Sequence, residues 1–188
     1  MPERRPPIEA FGQSIVELTA AIAARGGPPP VDRWDPPHCG HSGMRIARDG
    51  TWYHEGSPID RPAMVRLFAT VLRRESDGSH VLVTPVEKLT IDVDATAFRA
   101  TQLTMSGEGE MRRIGLTLDS GDGLIVGADH PLSVIETDQG LSPRVAVRFG
   151  LEAELARPLY YELAEIALAE GHHPPGIWSD GIFFELSA

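Results

Sequence analysis

Apolar positions recur with two periods along this chain. Ile8, Phe11, Ile15, Leu18 and Ile22 follow a 3-4-3-4 spacing, which lays one narrow stripe along a predicted helix over 8–25, closed by Gly26-Gly27 and Pro28-Pro29-Pro30. An isolated helix of that length is marginal in water and needs a surface to pack on, in its own subunit or in another chain. A second helix opens at Arg61-Pro62, where proline at the first turn costs no hydrogen bond, and buries Met64, Leu67, Phe68, Val71 and Leu72; Arg66, Arg73 and Arg74 lie off that stripe. Between the two, residues 28–43 hold five prolines and read as an extended linker anchored by Trp34. The second period is two. Met44 and Ile46 alternate with polar neighbours, Asp49-Gly50 gives a two-residue hairpin signal, and Thr51 to His54 returns as a strand that Ser57-Pro58 breaks. Asp77-Gly78 turns the chain into an apolar strand over 80–84, and Leu89, Ile91 and Val93 alternate in the next.

From Ala97 onward the pattern is mostly strand. Phe98 to Met105, then Ile114, Leu116 and Leu118, then Leu124 to Val126, Leu132 to Ile135, and Val145 with Val147 are separated by glycine- and aspartate-bearing turns, which reads as a meander curling into a sheet or half-barrel. A one-turn helix is predicted around Leu151–Leu155, a longer one from Pro158 to about Ala169, and a final hairpin over Trp178-Ser-Asp-Gly-Ile182. The two proline-opened helices echo each other: Arg61-Pro62-x4-Leu67-x4-Leu72 matches Arg157-Pro158-x4-Leu163-x4-Leu168 at an offset of 157 − 61 = 96 residues. The expected fold is α+β: an N-terminal helix and linker over 1–43, a sheet-plus-helix half over 44–94 and a related half over 95–188.

Composition narrows the classes. An apolar fraction of 41% and a charged fraction of 23% are those of a soluble globular chain, and no apolar run approaches membrane-spanning length. A net charge of −10 argues against nucleic acid or an anionic lipid surface as partner. The pairs Arg73-Arg74 and Arg112-Arg113 read as solvated charge. The single cysteine, Cys39, excludes an internal disulfide and fits a cytoplasmic setting.

Candidate chemistry is sparse. His38, Cys39 and His41 are too closely spaced for a zinc knuckle, and no second cysteine pair exists. No GxGxxG, Walker-type loop or HExxH occurs. Glu87 and Lys88 follow Pro85 at a strand end, where a pair can line a pocket or stand as an exposed turn. Asp129-His130 before Pro131 offers the same two readings. Arg148 and Arg157, with Tyr160, Tyr161 and Trp178 nearby in sequence, could hold a phosphate and stack a ring, or serve packing alone.

Met44 to Ile59, Arg61-Pro62, Leu72-Arg-Arg-Glu75, Leu82 to Lys88, Asp129-His-Pro-Leu132, Gly150-Leu-Glu-Ala153, Ala156 to Leu163 and Gly176-Ile-Trp-Ser179 together resemble a bacterial family catalogued as domain of unknown function 1285. The resemblance runs in order from Trp34 to Leu186. It implies a duplicated core whose second half is pleckstrin-homology-like, a pocket between the halves for a nucleotide-like ligand, and a role in signal transduction. On that footing the expected function is non-enzymatic binding of a small ligand. Thr84, Glu87, Lys88, His130, Arg148, Arg157 and Trp178 are the expected lining: Lys88 and the arginines for negative charge, Trp178 for stacking, Glu87 as acceptor from a sugar or base edge. No catalytic residue, metal or cofactor is expected. The alternatives are a hydrolase using Glu87 or His130 as general base, and a protein-interaction module; self-association would run through helix 8–25.

Overall fold

Polar–apolar alternation gives strands one buried and one solvated face, and here the strands assemble into two six-stranded sheets, each with its own core. The computed structural model describes residues 29–188, so the predicted helix over 8–25 lies outside them. The chain divides into two compact units between Ala95 and Thr96.

In the first unit, β1 (His38–Ile46), β2 (Trp52–His54) and β3 (Ser57–Pro58) form one antiparallel meander, and β4 (Leu72–Arg74), β5 (His80–Val83) and β6 (Lys88–Val93) form another. Parallel pairing of β1 with β6 joins them, in the order β3-β2-β1-β6-β5-β4. β1 begins at His38, inside the stretch read as linker. The two-residue turn falls elsewhere than expected. Glu55 and Gly56 take φ of 48° and 82° between the paired His54 and Ser57, as a type I′ hairpin requires. The Asp49-Gly50 turn is longer: Gly50, at φ 89°, donates to the Ala47 carbonyl, and Ala47 donates to that of Thr51.

The helix α1 (Pro62–Thr70) stops before Val71 and Leu72, which the helical period had included. Strand pairing takes them instead: Val83 donates to the Val71 carbonyl, and Leu72 lies opposite Leu82. Phe68 stacks on Trp52 of β2 at 6.3 Å between centroids, which fixes α1 on the sheet. Arg73 corrects a further expectation. It is no solvated charge: its Nη1 donates to the carbonyls of Val31 and Trp34, both at 2.7 Å, and its Nε to Glu75 at 2.9 Å, so it pins the short 3₁₀ turn Val31–Arg33 to β4. Trp34 itself is half-buried.

The second unit holds the meanders β7 (Phe98–Ser106), β8 (Arg113–Leu118), β9 (Gly123–Ile125) and β10 (Leu132–Thr137), β11 (Gly140–Ala146), β12 (Glu152–Leu155). β7 runs parallel to β12, giving the order β10-β11-β12-β7-β8-β9. The predicted one-turn helix at 151–155 is strand β12. Leu151, Ala153 and Leu155 are buried on one side, while Glu152 pairs with Arg144 at 3.1 Å and Glu154 accepts from Ser142 at 3.0 Å on the other. The helix α2 (Arg157–Glu170) follows, burying Leu163 and Ala167, and ends at Gly171 in the left-handed region (φ 69°). The hairpin β13 (Gly176–Ser179) and β14 (Ile182–Glu185) closes the chain, with Asp180 and Gly181 at φ 51° and 77°.

Strand for strand, the two sheets share one topology: first and sixth strands parallel at the centre, each flanked by its own meander. The repeat is therefore real, but its offset is not 96 residues. β7 starts at 98 against 38 for β1, β10 at 132 against 72 for β4, and β11 at 140 against 80 for β5, an offset of 60, while β8, β9 and β12 start 61, 66 and 64 residues after β2, β3 and β6. The two Arg-Pro helices are not equivalent. α1 lies between the third and fourth strands of its unit, and α2 follows the sixth of its own. Where the first unit has α1, the second has only the short connection after β9.

Candidate functional site

That connection helps to enclose an open concavity of about 630 Å3 in the second unit. Its floor follows from alternation on β8: Ile114, Leu116 and Leu118 are buried, so Arg113, Gly115 and Thr117 turn outward. Cross-strand register sets Thr104, Gly115 and Ile125 in one row, and Thr117 beside Gly123 in the next. A side chain at Gly115 would crowd this row and force Thr104 to turn, since a Cβ would lie 2.6 Å from Thr104 Oγ1.

The wall is the segment Gly127–His130 together with Asp180 at the β13–β14 tip. Three bonds place that tip. The buried Ser179 hydroxyl accepts from the Ile114 N–H at 3.0 Å and donates to the Val126 carbonyl at 2.7 Å, and the Asp180 N–H donates to the Arg112 carbonyl at 2.8 Å. The Asp180 carboxylate then faces Arg113 Nε at 3.2 Å, and Gly127 leaves room for it, because a Cβ at that position would lie 3.2 Å from Asp180 Oδ2. His130 Nδ1 is 3.0 Å from the Ala146 carbonyl, which can only accept. Nδ1 therefore carries the proton, and in the neutral ring Nε2 is an acceptor.

Of the residues expected from the sequence, His130 lines this concavity. Arg148 lies elsewhere in the unit, bonded to Asp122 at 3.0 Å and set over the Phe98 ring at 5.1 Å. Arg157 is exposed as the first residue of α2, and Trp178 packs edge-on against Phe183 at 5.4 Å. In the first unit, Thr84, Glu87 and Lys88 share the β5–β6 turn. The buried Thr84 hydroxyl accepts from the Glu87 N–H at 3.2 Å, and Lys88 Nζ lies 3.5 Å from Asp35 and 3.9 Å from Glu75. Burial pushes the Glu87 carboxyl above its ordinary value. His38, Cys39 and His41 lie on β1: His38 Nε2 meets Thr90 Oγ1 at 2.8 Å, the Gly43 N–H donates to His41 Nδ1 at 2.9 Å, and Cys39 is exposed. Among the described residues no three side chains are grouped to hold a metal ion, and no helix is long and apolar enough to cross a membrane.

Sequence reasoning missed Thr104, Arg113, Gly115 and Thr117. The alternation of β8 exposed three of them as outward positions, but the register that sets them beside β7 and β9 is non-local.

Comparison with known proteins bears on the whole described chain. Residues 29–96 match the family model "Domain of unknown function (DUF1285), N-terminal domain", and residues 97–186 match "Protein of unknown function (DUF1285), C-terminal domain". A DUF1285 family protein from Silicibacter pomeroyi DSS-3, known from its crystal structure, is similar at 41% identity and a TM-score of 0.79, over 89% of this chain and 94% of that one. A second, from Shewanella baltica OS155, shares the fold at 21% identity and a TM-score of 0.52, over 66% of this chain and 91% of that one. No curated protein matches the chain. With both family models in sequence over residues 29–186, and a relative of 41% identity along nearly its whole length, the chain belongs to the DUF1285 family.

Proposed function

We propose that this protein is a non-enzymatic binder of a small polar ligand, with a regulatory role in signal transduction, and that the second unit seats the ligand. The observation that carries this reading is the concavity on the β7–β9 face. Its volume falls within the range of small-molecule sites, and its polar groups converge on a floor with glycine at Gly115 and Gly123. A six-stranded sheet followed by a helix also supports a pleckstrin-homology-like reading of this unit.

The test is a fragment screen on the full chain, read by amide shifts of Gly115, Gly123 and Gly127. Binding is expected to stabilise the fold by mass action, by about 2.7 kcal/mol at a hundredfold excess over Kd. Gly123→Phe fills open space, since a Cβ there has no neighbour nearer than 4.0 Å, and should abolish the shifts without unfolding the protein. A screen in which no compound moves these amides would sink the reading.

A further inference from the structure

Resting on that reading, we infer that the concavity takes an unphosphorylated, donor-bearing ring compound of the nucleoside type and discriminates against its phosphorylated form. The charges in its wall decide this. Arg113 is the single guanidinium there, and it is engaged by Asp180 at 3.2 Å, whereas Asp129 adds a second, exposed carboxylate. A phosphate entering the concavity meets two carboxylates against one engaged cation, on a chain of net charge −10.

The remaining polar groups are acceptors or hydroxyls. His130 spends its Nδ1 proton on the Ala146 carbonyl and leaves Nε2 as an acceptor in the neutral ring, while Thr104 and Thr117 add hydroxyls that donate or accept. Such a set rewards ring N–H, exocyclic amine and sugar hydroxyl donors. Ile125, 39% exposed and in the same row as Gly115, supplies apolar surface for a flat ring.

The experiment titrates the full chain with the four ribonucleosides and their 5′-monophosphates, read by the Gly115, Gly123 and Gly127 amides. At least one nucleoside should bind about tenfold tighter than its monophosphate, the size expected for exposed carboxylates acting on a doubly charged group a few ångströms away. Asp129→Lys should reverse that preference and Asp129→Asn should flatten it, with unchanged melting, because the side chain is exposed. A monophosphate that binds as tightly as its nucleoside, or a ratio unmoved by Asp129→Lys, overturns the inference. If the nucleosides fail while other fragments shift the same amides, the inference falls and the binding function stands. If nothing shifts them, both fall.

Discussion

Replacing Arg112 with methionine removes a guanidinium while keeping most of the apolar stem. Arg112 is 7% exposed, and both of its terminal nitrogens reach the two Glu170 carboxylate oxygens at the last turn of α2, one of them at 3.3 Å. Without it, a carboxylate that is 25% exposed is left at a helix C-terminus, where the helix dipole disfavours negative charge. Breaking a fully buried pair costs about 3–5 kcal/mol, and a surface pair is worth at most about 1 kcal/mol. Partial exposure of Glu170 places this loss near 2 kcal/mol, about a thirtyfold change in the folded-to-unfolded ratio.

The loss carries a pH signature. The hydrogen bond from Arg112 holds the Glu170 carboxyl below its ordinary value, with partial burial acting the other way. A depressed folded value means that this stability is fully present above the unfolded value of about 4.3 and is lost as pH falls through the folded one. A urea titration read from amide peaks of α2 and β13 reports on the second unit alone. The difference between wild type and Arg112→Met should be near 2 kcal/mol at about pH 7 and shrink progressively as pH falls below the unfolded value and Glu170 protonates. Glu170→Gln in the Arg112→Met background should recover part of the loss at neutral pH. An equal deficit at neutral and acidic pH would refute the electrostatic reasoning and assign the effect to packing.

Other positions give sharper steric or local tests. Gly176→Ala should cost about 2–3 kcal/mol, because its Cβ would lie 2.5 Å from Phe183 Cζ and 2.6 Å from the Phe184 carbonyl. Gly123→Ala, in open space, should stay within about 0.5 kcal/mol, and the two are compared by thermal unfolding. Glu55→Asn should stabilise by about 0.5 kcal/mol in urea unfolding, since asparagine tolerates the left-handed conformation that Glu55 adopts at φ 48°; a loss of stability would count against the type I′ assignment. Arg73→Lys keeps the charge but cannot reach Val31, Trp34 and Glu75 at once. It should speed hydrogen exchange over residues 31–35, and unchanged protection there would show that the turn is held by something else.

Local pattern by itself determined a good part of this protein. Buried Ile114, Leu116 and Leu118 alternate with outward neighbours, Pro62 and Pro158 open helices, and Asp180-Gly181 turns the last hairpin, because side-chain direction and backbone φ are set within a few residues. Tertiary structure decided the rest. Leu151, Ala153 and Leu155 fit a helical turn at i, i+4 and a strand at i, i+2 equally well, and the choice fell to β7, whose edge accepts β12 in parallel. Val71 and Leu72 continue a helical stripe, but pairing with β5 draws them into strand geometry. The matching Arg-Pro helices pointed to a repeat of 96 residues, whereas equivalent strands of the two sheets start 60 to 66 residues apart. Hydrogen-bonded neighbours, not similar side chains, define equivalence between strands. For the same reason the candidate site was only partly legible: Asp129 and His130 stand out as a turn, but Thr104, Gly115, Ile125 and Asp180 come from four separate stretches and meet only through the register of three strands and the tip of a hairpin.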